Sequence, residues 1–270
     1  MAVRIEKEGP VWTVINDRFD AARNAVDPEH AELLHDAFLE FDATEAAQVA
    51  VFWGAGGAFC AGWDLKYAAS LGDPARFTEE IAPLDFPEGD GAAPRGPMGP
   101  SRLQLSKPVI AAVEGPAVAG GMELALWADC RVMGESAFLG VYCRRWGIPL
   151  IDGGTFRLPR LVGEGRALEI AMTGRKVPAE ECLAIGLCER VVPDGEARAA
   201  AEAMAHEIAR FPSGAMLADR ASIRGGHGLP PAQALRAEWA RGLDAARHQG
   251  IAGAGRFAGG KGRGGDFGDI

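Results

Sequence analysis

Pro108-Val109-Ile110-Ala111-Ala112-Val113-Glu114-Gly115-Pro116-Ala117-Val118-Ala119-Gly120-Gly121-Met122-Glu123-Leu124-Ala125 reads as a buried strand, a glycine turn and the start of a helix. The run from Val109 to Val113 is apolar on both faces, as in a strand covered on both sides. Gly115 and Pro116 end it. Gly120 then opens a helix that stays apolar all round through Met122, Leu124, Ala125, Leu126 and Trp127. Glu123 falls in the first turn of that helix. A carboxylate there can simply complement the helix dipole. Among so many apolar neighbours it is also expected to be partly buried. Burial raises a carboxylate's pKa and suits it to acid/base work near neutral pH.

The same pattern occurs once more, earlier in the chain. Gln48-Val49-Ala50-Val51-Phe52-Trp53 is a short apolar strand that runs into Gly54-Ala55-Gly56-Gly57. Ala58-Phe59-Cys60-Ala61-Gly62-Trp63-Asp64-Leu65 follows, and a helix is expected from Asp64 onward. Free backbone N–H groups at such a helix start can hold an anion. The turn lacks the Gly-Lys-Ser/Thr of a Walker loop and the usual context of a dinucleotide fingerprint. Taken alone, it is equally well a tight strand-to-helix turn.

Around these two turns the coarse organisation is legible. Residues 2–16 read as two strands turning at Gly9-Pro10. Asp27 and Pro28 open a helix as N-cap and first helical residue, with Leu34, Phe38 and Phe41 on one face. Residues 85–101 hold four glycines and four prolines and are expected to be irregular. Cys130 to Met133 is a further strand. Beyond Gly153 helices dominate: 163–172 ending at Gly174, 178–185 ending at Gly186, 194–211 and 230–248. Residues 249–270 hold nine glycines and are expected to form a loose tail. The order implies an α/β core followed by a helical C-terminal part.

Composition limits the function classes. The chain has 270 residues, 48% hydrophobic and 24% charged, with a net charge of −9. Its Arg and Lys residues are scattered, so no nucleic-acid partner is expected. No apolar run reaches the ~18 residues of a membrane span, and the first residues contain no apolar signal segment. A cytoplasmic location without membrane contact is expected. Cys60, Cys130, Cys143, Cys182 and Cys188 are odd in number and form no CxxC pair, which argues against a disulfide framework or a zinc site. His30, His35, His206, His227 and His248 make no ligand pattern, so no metal is expected and they read as surface or packing residues.

The two turns together resemble the enoyl-CoA hydratase/isomerase (crotonase) superfamily. The resemblance runs over residues ~3–250 and includes Arg23-Asn24-Ala25-Val26, Ala58 to Lys66, Lys107 to Gly115, and Ala119 to Ala125. Gly153-Gly154-Thr155, Leu158-Pro159-Arg160 and Leu183 to Leu187 continue it in the family's order. It implies a crotonase-like ββα spiral core of α/β class over 1–190, a helical trimerisation region over 191–250 and a Gly-rich flexible tail over 251–270. It also implies an acyl-CoA substrate, with coenzyme A part of the substrate and no separate cofactor, and assembly as a homotrimer or hexamer.

By motif position the resemblance makes the Trp63 and Gly120 N–H groups the oxyanion hole for the thioester oxygen. Ala61, Asp64, Leu65 and Lys66 match a strip that lines the nucleotide and pantetheine, and Arg23 matches a basic position near the CoA phosphates. Lys66 and Lys261 are weaker phosphate candidates. Arg23, Lys66 and Lys261 can equally be solvated surface charges. The Trp63 ring can wall the acyl chain, stack near the pantetheine or sit in the core. Glu123 matches the first of the two glutamates that hold a water in hydratases. The second falls at Cys143, which cannot serve as a carboxylate base because its unperturbed pKa is ~8.5.

Asp152, just before Gly153-Gly154, is the candidate replacement, and otherwise a turn or cap residue. Arg144 or Arg145 can pair with Asp152 or Glu123, hold a substrate carboxylate, or lie at the surface. The loop 85–101, with Phe86, Pro97, Met98 and Pro100, fits where relatives shape the acyl pocket. The expected activity is enoyl-CoA hydration at an atypical site. The alternatives are isomerisation, decarboxylation or thioester hydrolysis on the same oxyanion hole, or acyl-CoA binding without catalysis.

Overall fold

The computed structural model describes residues 2–89 and 91–262. Six strands form the main sheet in the order β1-β2-β3-β4-β6-β9, and β5-β7-β8 form a smaller one. These are β1 Val3–Glu8, β2 Val11–Asn16, β3 Val49–Gly54, β4 Val109–Val113, β5 Pro116–Val118, β6 Cys130–Gly134, β7 Phe138–Gly140, β8 Val177–Pro178 and β9 Arg190–Val192. β1 and β2 pair antiparallel across Gly9-Pro10, and every later neighbour in the main sheet is parallel. Every residue of β2 and β4 is buried; β4 accordingly reads as an unbroken apolar run, whereas β2 also buries the polar Thr13 and Asn16.

Parallel neighbours need a crossover. Pro28–Ala43 supplies the one between β2 and β3. Its N-cap Asp27 accepts the His30 N–H, and Pro28 takes the first turn. Leu34, Phe38 and Phe41 are buried on its inner face. Phe38 meets Phe52 edge-on at 5.2 Å and Trp127 at 4.8 Å. The aromatic contacts thus tie the crossover to β3 and to the helix Gly120–Trp127.

The two glycine turns lie side by side. Phe59 N–H donates to Pro116 O, and Val118 N–H to Cys60 O at 3.0 Å, so the 58–62 segment runs alongside β5. This close approach requires glycine at 121. A Cβ there would strike the Cys60 carbonyl and its carbon, which are backbone and cannot yield. Gly121→Ala is therefore expected to cost roughly 3 kcal/mol, the upper end of ordinary single substitutions. A drop of several degrees in thermal midpoint would show it, and an unchanged midpoint would contradict the packing.

At the far end of the helix Gly120–Trp127 a buried guanidinium collects the last carbonyls. Arg131 donates to Ala125 O, Ala128 O and Leu187 O, and pairs with Glu189 at 2.7 Å. Two of the carbonyls at the helix end, those of Ala125 and Ala128, thereby gain a donor.

Several boundaries differ from the sequence reading. The chain divides into two compact units, residues 1–205 and 206–270. The helix Ala197–Ala209 starts in the first unit, where Ala197, Ala201, Met204 and Ala205 are buried, and its last residues fall in the second. The second unit contains a helix not expected from sequence, Ser213–Gly226, followed by Pro231–Ala245. The glycine-rich tail over 251–270 starts as a helix, Ile251–Ala258, after a π-turn at 246–250. Ile251, Ala252, Ala254, Phe257 and Ala258 outnumber its glycines, so propagation from the preceding helix outweighs their cost. Among the described residues no helix is long and apolar enough to cross a membrane.

Candidate active site

A cavity of about 560 Å³ opens in the first unit where the two glycine turns meet. Ala61, Trp63, Ala119, Gly120, Glu123, Cys143 and Asp152 all line it. The backbones at 62–63 and 119–120 are adjacent: a Cβ on Gly62 would lie 3.2 Å from the Gly120 nitrogen. Among the described residues neither the Trp63 N–H nor the Gly120 N–H has a protein acceptor. Gly120 is the first residue of an eight-residue helix, so its N–H carries the positive end of the helix dipole.

Ala119, just before it, holds φ 53° and ψ −124°. Such a non-glycine conformation costs about 1–3 kcal/mol. Its N–H is anchored on Gly140 O at 2.8 Å, which helps hold the turn.

Glu123 is 2% exposed and Asp152 3% exposed. The Glu123 Oε1 accepts two backbone N–H bonds, from Asp152 at 2.9 Å and Gly154 at 2.8 Å. Gly153-Gly154 makes this possible. Gly153 holds φ 97°, a left-handed value that favours glycine, and a Cβ on Gly154 would crowd Glu123 at 3.0 Å. Desolvation pushes the Glu123 carboxyl up to about 7, and the neighbouring Asp152 adds to the rise. The two N–H bonds and the Arg157 charge oppose it without cancelling it. Asp152 is also raised, chiefly by burial, against hydrogen bonds from Ser101 and Met98. Both of those donors converge on Asp152 Oδ1: the Ser101 hydroxyl, and the Met98 N–H at 3.0 Å. Burial and the nearby Glu123 raise the Cys143 thiol as well, which keeps it neutral.

The other residues singled out from sequence fall in different places. Leu65 lines the cavity, and the Trp63 ring joins Phe77 at 5.5 Å as an aromatic wall of it. Asp64 is the N-cap of the helix Leu65–Leu71, accepting from the Lys66 and Tyr67 N–H groups and pairing with Arg18 at 2.9 Å. Arg23 and Lys66 are exposed and lie outside the cavity lining. Lys261 lies in the second unit, where its N–H donates to Arg256 O.

Neither arginine beside Cys143 pairs with Glu123 or Asp152. The Arg144 Nε donates to Ala171 O at 3.3 Å, and Arg145 stacks 3.8 Å over the Tyr142 ring. Both are exposed because the 3-10 turn Tyr142–Trp146 directs Cys143 inward and its neighbours outward. Besides Arg102, which acts on Asp152, the cation beside both carboxylates is Arg157, which the sequence reading missed. Its signal was a position one turn into the helix after Gly153-Gly154, whose side chain points back toward the N-terminus. Ser101, Arg95 and Arg102 were missed too. Arg95 and Arg102 line the cavity from the 85–102 stretch.

Chemically the arrangement can do two things. Two preorganised N–H donors can stabilise an oxyanion. A buried carboxyl that titrates near neutral pH can move a proton beside it.

A family model described as enoyl-CoA hydratase/isomerase matches residues 101–237. The chain is 35% identical over 239 residues to an enoyl-CoA hydratase of Mycobacterium tuberculosis, covering 86% of this chain and 84% of that protein. It is 36% identical over 209 residues to the carnitinyl-CoA dehydratase of Salmonella typhi, covering 77% and 74%. Among solved structures, an enoyl-CoA hydratase from Mycobacterium tuberculosis superposes with a TM-score of 0.83 at 31% identity over 96% of both chains. One from Bacillus anthracis gives 0.83 at 29% identity, again over 96% of both. These neighbours share the mixed α/β core and the helical C-terminal region.

Proposed function

Since the chain belongs to the enoyl-CoA hydratase/isomerase family, we propose that it hydrates 2-enoyl-CoA thioesters reversibly, with Glu123 as the group that moves the proton. The thioester oxygen sits between the Trp63 and Gly120 N–H groups. Water adds its oxygen to the β carbon while Glu123 takes its proton. The π electrons pass through the α carbon to the thioester oxygen, whose negative charge the two donors stabilise. The α carbon then takes a proton, and Asp152 is the candidate second carboxylate in this step. The reverse reaction is loss of water from a 3-hydroxyacyl thioester. Atoms balance as one water added per substrate. Coenzyme A enters as part of the substrate, and the reading includes assembly of copies through the second unit, where Ile223, Trp239 and Ile251 are exposed.

One observation carries the reading: a carboxyl poised near neutrality lines the same cavity as two unused backbone donors. A second reading draws on Cys143. With a neutral thiol where the second glutamate would stand, Glu123 alone can carry a proton between the α and γ carbons, which is isomerisation.

Short-chain 2-enoyl and 3-enoyl thioesters separate the two. Hydration yields a product heavier by one water, whereas isomerisation yields one of unchanged mass with the double bond moved. Hydration is expected to be the faster. No change in either substrate at high enzyme concentration would remove both readings.

A further inference from the structure

Two segments far apart in sequence meet beside Glu123, and one guanidinium bridges their backbones. Arg157 Nη1 donates to Asp152 O at 2.8 Å, and its Nη2 donates to Ser101 O at 2.8 Å. The Ser101 hydroxyl and the Met98 N–H close on the Asp152 carboxylate from the same side. From the other side the Asp152 and Gly154 N–H groups hold Glu123. Met98, held this way, packs against Gly120, since a Cβ on that glycine would meet its side chain. One network, buried at Asp152, Ser101 and Glu123 and half-buried at Arg157, therefore reaches both halves of the cavity chemistry.

From this geometry we infer that Arg157, working with Ser101, is a positioning residue that aims Glu123 and holds Met98 against Gly120. The inference rests on the proposed role of Glu123. A forked guanidinium can hold two carbonyls in fixed relation, which a lysine's point charge cannot. The charged and titratable groups facing Glu123 are Asp152 from the turn, Arg157 from the helix Gly154–Val162 and Cys143 from the 3-10 turn. Asp152 raises the Glu123 carboxyl and Arg157 lowers it, so removing the cation moves its titration upward.

The test uses the full-length protein with ¹³C-labelled glutamate, and Glu123→Gln identifies the Glu123 carboxyl resonance. Arg157→Met is expected to move the Glu123 midpoint up by about one pH unit, the low end for loss of a nearby opposite charge. Arg157→Lys is expected to keep the wild-type midpoint. Both variants are expected to lower kcat by roughly ten- to a hundredfold with KM little changed, as displacement of a catalytic group does. Should Arg157→Met fail to fold, Arg157→Lys and Ser101→Ala still decide the matter through the same kcat-against-KM split.

An unmoved Glu123 midpoint in Arg157→Met, or a loss of kcat in step with the unfolded fraction, would overturn the inference. The titration needs no substrate. A wild-type protein that turns over no thioester, together with a shifted midpoint in Arg157→Met, would therefore sink the proposed function and leave the placement of Arg157 standing.

Discussion

Glu123→Gln is expected to lower kcat by roughly 10²–10⁴-fold while leaving KM nearly unchanged, the range for loss of a positioned proton-transfer group. The fold should survive, because a glutamine oxygen can still accept the Asp152 and Gly154 N–H bonds. The wild-type kcat/KM should rise with pH through about 7 as Glu123 ionises to take a proton from water. The variant should lack that limb.

Stability moves the other way. The folded-state pKa is raised from 4.5 to about 7, so the folded protein binds this proton more tightly than the unfolded chain. The associated stability is fully present below pH ~4.5 and is lost as pH rises through about 7. The shift corresponds to about 3 kcal/mol. Glu123→Gln is therefore expected to gain stability relative to wild type between pH 5 and pH 8. Denaturant titrations at the two pH values check the sign. A variant with wild-type kcat would show that Glu123 is not the proton carrier, and one whose relative stability falls over that interval would show that it is not a costly buried charge.

Gly120→Pro removes one of the two proposed oxyanion donors. Loss of such a donor typically costs roughly 10²–10³ in rate. Side-chain deletion cannot remove a backbone N–H, so proline is the informative change. Position 120 is the first residue of its helix, where proline's fixed φ and missing donor are ordinarily tolerated. Two local costs accompany it. The ring must share space with Met98, and Ala119 at φ 53° and ψ −124° must precede a proline. Gly120→Ala separates crowding from donor loss, since it meets the same Met98 side chain but keeps the N–H. The expected order of kcat is wild type, then alanine, then proline, with thermal unfolding showing all three folded. A folded proline variant as active as the alanine variant would remove Gly120 from the oxyanion hole.

The fold was legible where local pattern and tertiary environment agree. β4 is buried throughout and β3 at all but Trp53, so both read as continuous apolar runs. Asp27-Pro28 and Gly174 mark helix ends by cap chemistry that acts within a few residues. The helix Ser213–Gly226 escaped notice because it starts after Pro212 with no side-chain cap and carries Gly214, Gly225 and Gly226.

The site divides in the same way. Trp63, Gly120 and Glu123 occupy strand–turn–helix junctions, whose form is set by their own segments. Ser101 and Arg157 belong to no such motif. Their meaning arises only when loops 56 residues apart come together. Arg144 and Arg145 illustrate the converse. Adjacency to Cys143 in sequence says nothing about direction, and a 3-10 turn sends them outward.

The structure of this protein bound to an unreactive saturated acyl-CoA tests the central claim most directly. The thioester oxygen is expected within hydrogen-bonding distance, roughly 2.7–3.1 Å, of both the Trp63 and Gly120 nitrogens, with Glu123 beside the α and β carbons. A thioester oxygen facing away from those two nitrogens, or an acyl chain lodged outside the cavity, would contradict it.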